Sequence, residues 1–328
     1  MTALLHGHGF HHAFDILPGV KATFRLAGHI LGSAITILDI DDNGRKQSLC
    51  YTGDLGRANL PIIRDPEFVQ DADVLIIEST YGDRLHGDIR QVEERLAAVI
   101  IETVNRGGKL IVPAFAVGRA QELVYTLHQL KLKKKIPDIP VFIDSPMALD
   151  ATDIYRLHVE CYNEETRELM RKDEDPFGFR RLHYIREAED SKKLNLIQEP
   201  VMIVSTSGMA ETGRILHHLK NNIEDERNTV LIVGWQAENT LGWKIQNKWE
   251  TVSIFGEKYK LRAQVEVFQE FSAHADRNDL IEWVSKGKFK KIFVVHGDEK
   301  SSLSLAKDLQ DRGYTGVVVP QVGESYNL

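Results

Sequence analysis

Short apolar runs punctuate the chain, each closing on small or polar residues: DVLIIEST (73–80), KLIVPAF (109–115), PVFIDSP (140–146), PVMIVSTSG (200–208), TVLIVGW (229–235) and KIFVVHGD (291–298). Continuous β-branched runs of this length suit strands buried on both faces, which means parallel strands between layers of helix. Amphipathic stretches separate them. From Asp88 the positions Val92, Leu96, Val99, Ile100, Thr103 and Val104 fall on one helical stripe, halted by Gly107 and Gly108. A second stripe, Leu123, Leu127 and Leu130, follows Gly118. Strand and helix in alternation predict a layered α/β fold.

The opening of the chain has a different period. In VKATFRL (20–26) apolar and polar residues alternate, as they do along a half-buried strand. A second strand, SAITILDI (33–40), follows His29; DDNGRK (41–46) reads as a hairpin turn, and QSLCYTGD (47–54) returns. This antiparallel structure leads to two polar points, His29 and Asp54. No repeat, low-complexity tract or Pro/Ser-rich linker interrupts the chain, so a domain boundary must take the form of an insertion.

Composition narrows the class. The chain has 328 residues and a mass of 37.2 kDa, with 42% hydrophobic and 27% charged positions, enough for one large domain or two ordinary ones. No run of about 18 apolar residues reads as a transmembrane span, so no membrane partner is expected. The start lacks a basic region followed by a long apolar one, so no secretory leader is expected. Cys50 and Cys161 are too few for a disulfide framework or a thiolate metal cage. A cytoplasmic location is the expectation. The net charge of −7 requires any nucleic-acid surface to be a local one. The densest basic run, KLKKK (131–135), reads as a solvated helix end.

Functional groups in α/β sheets gather beyond the carboxyl ends of the strands. Those ends here carry Glu78, Asp144, the stretch 205–208 and His296, with His29, Asp54 and His274 at comparable turns. Histidines and a carboxylate at such ends suit a metal that takes imidazole and carboxylate ligands, most often zinc. Neither a P-loop nor G-x-G-x-x-G, G-x-S-x-G, H-E-x-x-H or C-x-x-C occurs. His217 and His218 occupy consecutive helix positions and so face different ways, which suits packing and solvent better than ligation. His86, His128, His158 and His183 match no motif and read as surface or packing residues.

The residues AGHILGSA (27–34), YTGDLGR (51–57), ESTYGDR (78–84), PAFAVGRAQE (113–122), FSAHAD (271–276) and VVHGD (294–298) occur in a telling order. The chain thereby resembles the metallo-β-lactamase-fold nucleases with a β-CASP insertion, RNA-processing enzymes that include the nuclease subunit of the cleavage and polyadenylation complex. DSPMA (144–148), STSGM (205–209) and GRILHHLKNN (213–222) are similar to that family as well. The resemblance implies a metallo-β-lactamase αββα sandwich, N-terminally incomplete, with an inserted α/β β-CASP domain of mainly parallel sheet. It divides the chain into residues 1–82, the insertion 83–265, and a returning segment 266–328.

The same resemblance implies the roles. His29 would ligate one zinc ion and His296 the other, with Asp54 bridging; Glu78 would pair with His274, which protonates the leaving oxygen of a broken phosphodiester. Ser207, Gly208 and Arg214, at a turn before a helix, would hold the backbone of single-stranded RNA; a turn that only packs on its neighbours is the equal alternative. The family takes further ligands from an H-x-H-x-D-H stretch. HGHGFH (6–11) has that outline, but Phe10 stands where the carboxylate belongs and the cluster falls in the lead-in to strand 20–26. His6, His8 and His11 are therefore read as coincidence. Each ion is left about two ligands short of the usual complement. The expectation is a metal-dependent ribonuclease of doubtful activity, with a non-catalytic RNA-binding or assembly subunit as the alternative, a hydrolase of small phosphate or acyl substrates as a weaker one, and a homodimer as the prior for its assembly.

Overall fold

The computed structural model describes residues 5–87, 91–172 and 174–326, so the helix start expected at Asp88 lies outside the described residues. Two compact units emerge, one of Met1–Leu85 with Ala273–Leu328 and the other of His86–Ser272. Among the described residues no helix is long and apolar enough to cross a membrane.

The first unit is built on a seven-stranded sheet. In spatial order its strands are Phe14–Leu17, Val20–Leu26, Ala34–Asp42, Arg45–Tyr51, Asp71–Glu78, Lys288–Val295 and Val317–Val318. The first four run antiparallel to their neighbours and the last four pair in parallel, so a hairpin region and a layered region share one sheet. Asn43 and Gly44, both at positive φ, make the hairpin turn between Asp42 and Arg45. The helices Arg277–Ser285 and Glu299–Asp311 place Leu280, Val284, Leu305 and Leu309 in one buried cluster with Ile35, Cys50, Leu75, Ile77, Ile292 and Val294 of the sheet. Phe14–Leu17, read from sequence as lead-in, is an edge strand; its short FDIL segment carries too little alternation to stand out.

The second unit holds a six-stranded sheet in the order Gln264–Phe268, Thr229–Val233, Leu110–Pro113, Met202–Ser205, Val141–Asp144 and Leu182–Tyr184. Every adjacent pair is parallel. Leu110–Pro113, Met202–Ser205 and Thr229–Val233 are buried along their whole length, as their unbroken apolar character requires. Helix Val92–Asn105 carries the first predicted stripe, and helix Arg119–Leu132 buries Leu123, Leu127 and Leu130. Each such leucine contributes about 1.5–3 kcal/mol of burial.

The strand Gln264–Phe268 escapes the apolar pattern because Gln264 and Glu266 interrupt it. It pairs along its length with Thr229–Val233, so the expected boundary between residues 265 and 266 falls inside a strand of this second sheet. The chain leaves the unit only after Phe271, whose buried ring lies 6.1 Å from that of Phe268.

Candidate metal centre

His29 sits in the loop between Val20–Leu26 and Ala34–Asp42. Ser33 shapes that loop: its hydroxyl accepts from the backbone N–H groups of His29 (3.1 Å) and Ile30 (3.2 Å) and donates to the Ile30 carbonyl (2.8 Å). Gly28, at φ +67°, lies against the backbone of residues 64–66, and a Cβ at Gly56 would stand 1.8 Å from the Gly28 carbonyl oxygen. Two loops thus meet backbone to backbone, bringing the Asp54 turn to His29. The Gly56 loop also bridges to His274, while Ala275 N–H donates to the Leu55 carbonyl at 2.7 Å. Asp276 then caps helix Arg277–Ser285 with a capping box, fixing where the 272–276 turn ends.

Glu78 closes strand Asp71–Glu78 and is buried. Its carboxylate accepts from Leu55 N–H (2.7 Å) and Thr80 N–H (3.3 Å), and His274 Nδ1 lies 3.2 Å from both of its oxygens. Burial pushes the Glu78 pKa up, but the bonds from His274, Thr80 and Leu55 outweigh it and hold the group below its ordinary value. Glu78 is therefore an anion that orients an imidazole.

Around that pair, His29, Asp54 and His274 bring their ligand atoms within 4.8 Å of one another. The rings of His29 and His274 are 4.4 Å apart at an interplanar angle of 50°. Burial first, then the neighbouring His274, drives the His29 pKa down to about 4, against the pull of the Asp54 and Glu78 carboxylates. The imidazole is thus neutral near pH 7, the form that ligates a metal. Its Nδ1 is buried and has no hydrogen-bond partner. On the other side of Asp54, His296 Nδ1 lies 3.2 Å from Asp54 Oδ1 and 3.3 Å from Thr80 Oγ1. Asp54 and His296 remain 39% and 56% exposed. Two imidazoles and a carboxylate converging on one point, with a buried ring nitrogen unpaired, fit a divalent metal of the zinc type.

Of the residues singled out in the sequence, His29, Asp54, Glu78, His274 and His296 therefore come together. His274, to which the resemblance gives the role of proton donor, belongs to the convergent set with His29 and Asp54. Ser33 and Thr80 were not foreseen; a Ser four positions after His29 and a Thr two after Glu78 are the only signals the sequence holds for them. The HGHGFH stretch lies apart: His8 stacks on Phe14 with centroids 3.6 Å apart, and His11 Nε2 pairs with Glu67 at 2.8 Å.

Ser207, Gly208 and Arg214 lie in the second unit, and every contact the structure gives them is internal. Ser207 Oγ accepts from Glu211 and Thr212 N–H at 3.1 and 3.3 Å, and Gly208 presses on the Phe115 ring. Arg214 donates to Asp144 Oδ1 (2.8 Å) and to the carbonyls of Ile185 (3.3 Å) and Arg186 (2.7 Å). Asp144 also accepts from Ser191 Oγ at 2.5 Å and contacts His218 Nε2 at 2.7 Å, a network that the sequence did not announce.

Comparison with known proteins gives the family. The Beta-Casp domain family matches residues 120–245, and the Zn-dependent metallo-hydrolase RNA specificity domain matches residues 258–320. A ribonuclease of Thermus thermophilus is 36% identical over 297 residues, covering 90% of this chain and 67% of that protein. An RNase J-like protein of Methanocaldococcus jannaschii is 38% identical over 301 residues, covering 89% and 67%. The transcription termination factor FttA of Methanosarcina mazei is 35% identical over 307 residues, covering 90% and 48%. The chain thus spans about two thirds of the length of the first two relatives and about half of the third.

Proposed function

The chain belongs to the metallo-β-lactamase-fold nucleases that carry a β-CASP insertion, and on that premise we propose that it is a metal-dependent ribonuclease hydrolysing phosphodiester bonds of single-stranded RNA. The observation that carries this reading is the convergence of His29, Asp54 and His274, whose ligand atoms lie within 4.8 Å of one another. His29, Asp54 and His274 would hold one ion, and Asp54 would reach across to His296 for a second. A divalent ion of the zinc type held by these residues would supply Lewis-acid charge for lowering the pKa of a water and for balancing the phosphoryl oxygens.

The remaining work falls to the chain's own groups. Glu78, held ionised by its hydrogen bonds, fixes the His274 ring through Nδ1. Proton exchange with the leaving oxygen would then run through Nε2, and the Glu78 charge favours the protonated imidazole that this step needs. Thr80 steadies His296 by bonding its ring nitrogen and donating to its carbonyl at 3.0 Å.

A non-catalytic RNA-binding subunit is the second reading. It is favoured by Phe10, which stands at the carboxylate position of the only H-x-H stretch near the start, and by the separation of that stretch from the centre. Zinc content by elemental mass spectrometry, with cleavage of an end-labelled single-stranded RNA, tests the two. The expected outcome is zinc uptake that Asp54→Ala lowers about tenfold or more, with cleavage lost in the same variant and melting temperature nearly unchanged. A chain that binds RNA yet takes up no zinc and cleaves nothing rules out the catalytic reading.

A further inference from the structure

At the carboxyl ends of two directly paired strands of the second unit, Leu110–Pro113 and Thr229–Val233, two aromatic side chains stand in solvent. Phe115 is 44% exposed and Trp235 is 48% exposed. Phe115 borders Gly208, and the segment of Trp235 is tied to that glycine through Gln236. A Cβ at Gly208 would lie 2.7–2.9 Å from the Phe115 ring, so only glycine lets the turn close on that ring's edge. The Gly208 carbonyl in turn accepts from Gln236 Nε2 at 3.0 Å, and the same amide donates to the Trp235 carbonyl at 3.1 Å. Gln236 is buried, so these bonds pin the segment that carries Trp235 to the turn that supports Phe115.

A cation lies beneath the same rim. Gly234, at φ +105°, offers no side chain, and the nearest atoms to its Cβ direction are Arg119 Nε at 3.8 Å and Nη2 at 4.0 Å. The Arg119 side chain is 9% exposed; its Nη1 is engaged by Glu122, whereas its Nε is buried without a hydrogen-bond partner. Two exposed aromatic side chains, fixed on adjacent strand ends by the Gly208 turn and by Gln236, suit a ligand with flat π-faces. Single-stranded nucleic acid has them in its bases.

We propose that Phe115 and Trp235 form a stacking platform for nucleobases of single-stranded RNA, set in the β-CASP unit and supported by Gly208. The inference rests on the RNA reading above and adds a base-contacting subsite to it. Because every base has a π-face, the platform grips without reading sequence.

The test is fluorescence-anisotropy binding of a labelled single-stranded oligoribonucleotide, in the absence of cleavage-supporting metal, to the full chain and to Trp235→Ala, Phe115→Leu and Trp235→Phe. Phe115→Leu keeps an apolar contact with Gly208 while removing the aromatic face. Each loss of an aromatic ring is expected to weaken binding roughly 10-fold, within the range of about 5- to 150-fold found for base stacking, and Trp235→Phe is expected to restore most of it. The slope of affinity against salt stays as in the parent chain, since no phosphate contact is removed. On an RNA of equal length whose bases are removed at successive positions, the Trp235→Ala deficit disappears. Parent-like affinity of Trp235→Ala and Phe115→Leu, with melting temperatures unchanged, overturns the platform and leaves the ribonuclease reading standing. A parent chain that binds no RNA overturns the RNA reading itself, and the platform with it.

Discussion

Among the described residues a buried carboxylate meets an imidazole in each unit, and the two constellations differ in how completely they are bonded. Glu78 ends strand Asp71–Glu78 and meets His274; Asp144 ends strand Val141–Asp144 and meets His218. Burial pushes both carboxyl groups up, and donated hydrogen bonds return both below their ordinary values. There the likeness stops. Asp144 is surrounded by Ser191, Arg214 and His218, and the other ring nitrogen of His218 lies 3.0 Å from Asn195 Oδ1. Around Glu78 the contacts lead outward, to a His29 ring nitrogen with no partner and to Asp54 and His296 in partial contact with solvent. A closed network ties elements together; an open one awaits a ligand.

Breaking the closed network has the largest expected effect. Asp144→Ala leaves the Arg214 guanidinium and His218 without their shared acceptor, in a site where Asp144 and His218 are fully buried. Stability should fall by about 3–5 kcal/mol, read as a shift in the urea midpoint. Zinc bound by whatever fraction remains folded should be unchanged, because the two constellations share no residue. An Asp144→Ala chain as stable as the parent would erase the distinction.

The pH dependence of chelator-treated protein sharpens the comparison at a smaller scale. The folded His29 pKa, about 4, lies below the ordinary 6.5, so between those values the unfolded chain takes up a proton that the native ring refuses. The unfolded state then binds more protons, and stability drops as pH falls through that window. Glu78, also depressed, adds to the loss only below about 4.5, as protonation removes its bonds. Asp144 behaves alike, with its loss centred lower because its ordinary value is 3.8. His29→Gln should flatten the urea midpoint between pH 6.5 and 4; an undiminished slope in that variant would place its origin elsewhere.

The smallest effect is expected from the histidines at the start. Replacing His8 and His11 with alanine should leave zinc content as it was and move stability by no more than about 0.5 kcal/mol, since both are exposed. A fall in zinc content would mean that HGHGFH reaches the centre after all.

Much of the fold was legible because it rests on local periodicity. The buried parallel strands, the Asn43–Gly44 hairpin and the stripe through Leu123 and Leu127 all follow from neighbours in sequence. Gln264–Phe268 was not legible, because its burial comes from a partner strand more than thirty residues earlier and not from its own apolar character. The five centre residues could be named from strand-end motifs, but their mutual arrangement could not. It depends on the Gly28–Gly56 backbone contact and on Ser33 and Thr80, whose local hydroxyl hydrogen bonds leave no periodic trace. From sequence Arg214 has two equal readings, RNA contact or packing, and its bonds in the structure are internal. A cation beside a helix start reads as an anion site, yet its charge is turned inward by Asp144, 70 positions away.

The pairing of Asp71–Glu78 with Lys288–Val295 sets a timetable for biosynthesis. His29, Asp54 and Glu78 leave the ribosome early, whereas His274 and His296 follow only after the whole of His86–Ser272 has been made. Domains fold largely as units while the chain emerges, so the second unit has its own core before the first can close its sheet. Until the strand Lys288–Val295 has been made and docked, Asp54 lacks His296. A chain interrupted between Ser272 and Lys288 carries the whole second unit while the sheet of the first still lacks strand Lys288–Val295 and the site lacks His296.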